Sequence, residues 1–324
     1  MKALLKRTGG IVLSGMMVFV MCGFTMEEQD QNVAEEVITE AYVYEVLPGT
    51  TEWIEMTPDE RFESCYISEE VVSRMTTEAL VETVLNYPYF TNVYAYDSFD
   101  YGIEVVSEYC PALKELLSRA EAAEALQNYL DNHTATSTAE ERLVTKAAKM
   151  LAEKVNCSED EIEMQENVLI PYSSSVQTPN GTNVTVSSNR SWTWWKNYNG
   201  MDYATALDAC DVYLARYPGI VMIREPYPYY NCHSYAWYST SSTNPYWMED
   251  PSPYMEDGSY ARSFSKKGNK ITYKRSGTYE HSGILTSKSD QVTSKWGNLG
   301  LFRHDKYDCP YSTGGVTYEY WEAS

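Results

Sequence analysis

Between residues 67 and 155 apolar side chains return every three or four positions, the spacing of a single helical face. "ISEEVVSRM" and "TTEALVETVLNYP" read as short helices, the second stopped by Pro88 and carrying Leu80, Val81, Val84 and Leu85 on its apolar side. "PALKELLSRAEAAEALQNYL" opens on Pro111 and aligns Leu113, Leu116, Leu117 and Ala120. Thr138 precedes "AEERLVTKAAKMLAEKV" with Glu141 three residues on, the spacing of a capping box. The pattern predicts an all-helical region over 63–168, preceded at 26–62 by an extended acidic arm with a turn at "LPGTTEW".

Near residue 170 the pattern changes. "IPYSSSVQTPNGTNVTVSSNRS" is rich in Ser, Thr, Asn, Pro and Gly around a "PNG" turn, so 169–195 reads as a linker or a hairpin. "MDYATALDACDVYLARYPG" then predicts a helix closed by Pro218 and Gly219, and "IVMIREP" a short strand. Four later runs, "NKITYKR", "HSGILTS", "QVTSKWG" and "TYEYW", are strand-like. A helix followed by several antiparallel strands is an α+β arrangement, expected over 196–324.

Charge sharpens the division at 170. Residues 1–170 hold 32 Asp and Glu against 11 Lys and Arg, whereas 171–324 hold 14 of each. The second part also holds 19 of the 29 tyrosines and seven of the eight tryptophans. A chain this acidic, with no basic stripe, is not built to neutralise phosphates, so nucleic acid is excluded as a partner. The acidic helical region reads as a docking or scaffold module, with a regulatory cover over a cleft as the other reading.

The first 25 residues read as an export signal: Lys2, Lys6 and Arg7 precede the apolar run "GGIVLSGMMVFVMCGF". That run is too short and Gly-rich for a membrane span, and none is expected in the mature protein. Met21 stands where a lipoprotein signal needs a small residue, which favours simple cleavage near 22–25 over lipid attachment at Cys22. The expected location is secreted or cell-envelope associated. Beyond the signal lie Cys65, Cys110, Cys157, Cys210, Cys232 and Cys309, an even number but without the clustered spacing of a disulfide framework.

The stretch with candidate chemistry is "YNCHSYAWY", 230–238, where small residues after Cys232 predict a helix starting at the thiol. A cysteine is a nucleophile as its thiolate, which a helix start or an adjacent imidazole favours. His233 is a poor base, because neighbouring side chains on a helix diverge by about 100°. His281, at the start of "HSGIL", is the preferred base. Ser294 ranks first as the group orienting its imidazole, with Asp290 and His304 as alternatives. Asn231 is a candidate second oxyanion donor. Taken alone, Cys232 would be a buried structural thiol, and His304 a structural histidine. His304 and Cys309 lack further ligands at metal spacing, so neither a metal nor a cofactor is expected.

"YNCHSYAW", "KGNKITYKRSGTYEHSGIL" and "SKWG" together resemble the papain-like fold of the NlpC-type and CHAP cell-wall hydrolases. "YPG", "DPSPYMEDGSY", "GLFRH" and "DCPY" resemble a group of exported bacterial proteins of largely uncharacterised function, and "ERFESCYISEEVVSRMTTEALVETVLNYPYF" the N-terminal region found with them. The likeness covers 217–312 well and 45–130 loosely. It implies a Cys-bearing helix packed on an antiparallel sheet, Cys232 as nucleophile, His281 as base, and an amide bond of a peptide or peptidoglycan-like substrate cleaved through a thioester. Three positions depart from the family: Asn269 replaces an Asp, His233 a small residue, and Asn231 a frequent Asp. Ser294 likewise stands where the hydrolases carry His, Asn or Gln. The alternatives are a non-catalytic peptide- or glycan-binding module on the same scaffold, and a structural protein with Cys232 in a disulfide.

Overall fold

The computed structural model describes residues 36–133, 138–156, 172–217, 219–286 and 290–324. The expected signal peptide, Cys22, Cys157, Pro218 and the start of the 169–195 segment lie outside them.

The fold is α+β, a helical region followed by antiparallel sheets with helices. Short helices α1 (Thr51–Glu55), α2 (Pro58–Ser64) and α3 (Glu69–Ser73) lead to α4 (Thr77–Leu85), α5 (Phe99–Tyr109), α6 (Pro111–Ser118), α7 (Ala122–Asn132) and α8 (Ala139–Asn156). A 3-10 turn, Phe90–Ala95, joins α4 to α5. Side-chain caps start most of these helices: Thr57 and Glu60 make a full capping box at α2, and Thr138 and Glu141 exchange the same pair of bonds at α8.

The stretch expected as an extended arm therefore differs from expectation over its last third. Thr50 and Thr57 accept backbone N–H bonds from Trp53 and Glu60, which stabilises α1 and α2 although neither has a helical-length apolar pattern. Arg61 then anchors α2 to the far end of the chain through Asp308 at 2.8 Å.

Strands β1 (Tyr172–Gln177) and β2 (Asn183–Ser188) form a hairpin, the second of the two readings of that segment. Helices α9 (Trp192–Asn199) and α10 (Tyr203–Arg216) follow, then β3 (Val221–Arg224), β4 (Tyr246–Trp247), helix α11 (Pro253–Glu256) and β5 (Tyr260–Arg262). The chain ends in β6 (Lys270–Arg275), β7 (Thr278–Leu285), β8 (Gln291–Lys295), β9 (Leu301–Asp305) and β10 (Thr317–Ala323). β4 adds to the hairpin, and the main sheet runs β3-β9-β8-β7-β6-β10-β5, antiparallel throughout.

Alternation along the strands gives this sheet two buried faces. Ile271, Tyr273, Leu285, Val292 and Phe302 join a core that includes Trp53, Leu80, Tyr94, Leu113 and Tyr213. Apolar packing thus continues from the helical region into the sheet, and the charge step at residue 170 marks a change of surface rather than a gap in the core. On the other face Ile284 and Leu301 meet Tyr230 and Tyr235.

Two glycines of the motifs are steric requirements. A Cβ on Gly283 would lie 2.3 Å from Val292 Cγ1, and one on Gly297, at φ +48°, 2.8 Å from the Ala95 carbonyl oxygen. The "SKWG" glycine is therefore where the β8–β9 turn presses on the helical region.

Candidate active site

Helix formation at Cys232 begins with its neighbour. Asn231 Oδ1 accepts the Ser234 N–H at 3.1 Å, an N-cap bond, and Asn231 Nδ2 donates to the Met248 carbonyl at 2.7 Å. This buried amide holds the helix start against the β4 segment, a different task from oxyanion donation. Cys232 is the first helical residue, and after one α-type step the chain widens to a π turn over Ser234–Tyr238. Such turns are rare and recur at functional sites.

The Cys232 side chain is buried, near the backbone N–H groups of Ser282 on β7 and of its neighbour His233. β8 pairs with β7 only beyond Ser282, at Ile284 and Leu285, which leaves this edge of β7 open to the helix. Burial pushes the thiol up, and the Asp97 carboxylate adds to this. The two N–H groups and the Lys295 ammonium act in the opposite direction.

Two histidines are fixed by matching relays. Trp237 Nε1 donates to Ser282 Oγ at 2.9 Å, Ser282 meets His233 Nδ1 at 2.8 Å, and His233 Nε2 meets the Tyr279 carbonyl at 3.1 Å. A carbonyl only accepts, so Nε2 carries the proton and Nδ1 accepts the Ser282 hydroxyl. Likewise Trp296 Nε1 donates to Ser294 Oγ at 3.0 Å, Ser294 donates to His304 Nε2 at 2.7 Å, and His304 Nδ1 donates to the Asp305 carbonyl at 2.7 Å. Both imidazoles are neutral, burial holding each down to about 4. Ser294, the first choice to orient His281, is thus engaged by Trp296 and His304. Asp290, another choice, pairs with Lys306 at 2.6 Å.

His281 itself is fully buried, with neither ring nitrogen hydrogen-bonded among the described residues. Its ring stacks on Tyr311, centroids 3.8 Å apart and planes 7° apart, and meets Tyr273 edge-on. Burial drives its imidazole well below the usual range, with His304 and His233 adding to the shift. No hydrogen bond joins it to Cys232. The chain path is nonetheless short: the Ser282 N–H near the sulfur belongs to the peptide bond following His281.

Cys232 and His233 border a cleft of about 400 Å³. Its other walls come from both regions of the chain: Tyr96, Asp97 and Tyr101 from the helical region, Arg190 and Trp194 around the start of α9, Glu249 after β4, Glu280 on β7, and Tyr311. Asp97 accepts from Trp247 Nε1 at 3.2 Å and lies within hydrogen-bonding reach of Glu249. Arg190 pairs with Glu249 at 2.6 Å and covers the Trp194 and Trp247 rings at 5.1 and 4.9 Å. Burial, followed by the Glu249 charge, holds the Asp97 carboxyl well above the usual range. None of these polar wall residues was singled out from sequence; isolated acids in an acidic stretch carry no local signal.

Cys65, Cys110, Cys210 and Cys309 are, like Cys232, buried free thiols. Burial pushes them up, Cys65 to about 11 and the other three to about 12. Among the described residues no group of three or more His, Cys, Asp and Glu side chains is arranged to hold a metal ion, and no helix is long and apolar enough to cross a membrane. No family model, curated protein or solved structure matches this chain.

Proposed function

We propose that the protein is an exported cysteine hydrolase of papain-like, NlpC- or CHAP-type architecture that cleaves an amide bond in a peptide or cell-wall peptide. The observation that carries the reading is the setting of Cys232: first residue of a short helix packed on an antiparallel sheet, backbone N–H groups near its sulfur, one wall of a cleft. His281 is the base.

In the resting arrangement the imidazole lies on Tyr311, and catalysis requires its side chain to turn toward the thiol. Ser282, whose backbone N–H lies near the sulfur, directly follows His281 on β7, so the two groups are neighbours along the strand. The Cys232 proton passes to His281, the thiolate attacks the carbonyl carbon, and the N–H groups near the sulfur receive the oxyanion. His281 then protonates the leaving amine, and water cleaves the thioester.

A second reading, a binding module with an idle thiol, is favoured by the same stacking of His281 on Tyr311 and by the upward push on Cys232. Mass-spectrometric screening of peptides for gain of one water separates the two. Hydrolysis by the parent that disappears in both Cys232→Ala and His281→Ala supports the hydrolase. Binding by Cys232→Ala without turnover by the parent supports the module.

A further inference from the structure

The cleft wall holds more negative charge than its one guanidinium matches. Asp97, Glu249 and Glu280 all border it, against Arg190 alone among the described residues. Arg190 is already engaged, with Glu249 at 2.6 Å, Ser187 Oγ at 3.0 Å and the faces of Trp194, Trp195 and Trp247 beneath it. Glu280 Oε1 accepts the Tyr101 hydroxyl at 2.9 Å, while its buried Oε2 has no donor among the described residues. Tyr96, also in the wall and 3% exposed, has a hydroxyl with no partner among the described residues. Trp194 and Tyr198 stack 4.6 Å apart as an aromatic side to the same space. Unmatched acceptors between aromatic faces suit a donor-only cation with an apolar stem.

The geometry points to this cleft as the binding site for the primary ammonium of an amine-bearing peptide, with Asp97 and Glu249 accepting its N–H bonds. The inference rests on the hydrolase reading for what the bound peptide is for, and not for the binding itself. Burial, followed by the Glu249 charge, holds the Asp97 carboxyl well above the usual range, so Asp97 has a proton for an incoming ammonium to displace. Besides Glu249, the groups facing Asp97 are Arg190 and Trp247, with Lys295, Cys232 and Tyr311 on the sheet side and Tyr101 and Tyr198 on the helical side. Lys295 is held by the Gly297 and Leu299 carbonyls and so is not available as the counter-charge. Exchanging a proton for an ammonium leaves the net charge of the cleft unchanged, and the proton goes to the buffer.

The test is calorimetry on the full chain carrying Cys232→Ala, at about pH 6, in two buffers of different ionisation enthalpy. Three probes are used: alanyl-alanyl-alanine amide with a free amino terminus, acetyl-alanyl-lysyl-alanine amide, and its neutral norleucine counterpart. At least one amine probe is expected to bind about tenfold or more tighter than the neutral probe, with release of about one proton. Asp97→Asn, which keeps an acceptor for Trp247, is expected to abolish proton release and weaken that probe about tenfold. Glu249→Gln, at an exposed side chain, is expected to weaken it as well. Equal binding of the neutral probe, no binding by any probe, or indifference to both substitutions overturns the inference. Amine binding without cleavage by the parent protein removes the hydrolase reading and leaves the ammonium site standing.

Discussion

The ring of His281 lies flat on that of Tyr311, 3.8 Å between centroids, and Tyr311 is the residue of the pair that faces the cleft. Tyr311 therefore determines how much water and polar contact the imidazole sees. The Tyr311 hydroxyl donates to the Ala95 carbonyl, so the stack is fixed from the helical side. Tyr311→Phe is expected to keep the stack and lose about 1 kcal/mol of stability. Tyr311→Ala is expected to lose about 3–5 kcal/mol. In that variant His281 titrates nearer 6.5, which NMR of the imidazole protons reads directly.

Ser294 separates positioning from packing. Its hydroxyl serves Trp296 and His304, so Ser294→Ala leaves two buried polar partners unmatched and is expected to lower stability by about 1–3 kcal/mol. Turnover per folded molecule stays unchanged, because neither bond reaches His281. A fall in kcat at full folding would instead restore Ser294 as an orienting group.

Acid is expected to destabilise the fold through its histidines. His233, His281 and His304 are neutral when folded, with pKa depressed to about 4, well below its usual value, and about 4 respectively, and take up a proton at 6.5 when unfolded. Below 6.5 the unfolded chain binds more protons, so stability rises with pH, each group contributing up to about 1.4 kcal/mol per pH unit. Asp97 works against them: its raised folded pKa makes it hold a proton the unfolded chain has lost, and its contribution falls as pH rises. Urea midpoints of parent and His304→Gln between about pH 5 and pH 7 isolate one group, and the variant is expected to show the shallower slope.

Lys295 sits wholly inside the protein, its ammonium on the Gly297 and Leu299 carbonyls at 2.7 and 2.6 Å, and burial lowers its pKa to about 7. Its charge favours the Cys232 thiolate. Lys295→Met is expected to slow Cys232 alkylation about five- to tenfold at neutral pH, the size of one buried charge at a high effective dielectric. The effect shrinks as pH rises through 7, where the parent lysine loses its own proton.

The helices of the first half were legible because their apolar faces repeat over several turns, and the helix start at Cys232 because small residues follow it, whereas the capping role of Asn231 was not. The short helices at 51–64 were not, since caps rather than periodicity make them. Pairing of Ser294 with His304 depends on the β8–β9 register, Ser294 opposite Phe302 and Val292 opposite His304, which no local pattern encodes. The cleft was hidden for a related reason: Asp97 and Glu249 are 152 residues apart in sequence and meet only after the helical region and the sheet have packed together.

The most direct test of Cys232 as nucleophile and His281 as its base is the alkylation rate of each cysteine against pH, read by mass spectrometry, in the parent and in His281→Ala. Of the five described thiols only Cys232 borders the cleft, so it is expected to react fastest, and to slow about tenfold or more when His281 is removed. A Cys232 that reacts no faster than Cys65, Cys110, Cys210 and Cys309, or that reacts equally with and without His281, would contradict the hydrolase account.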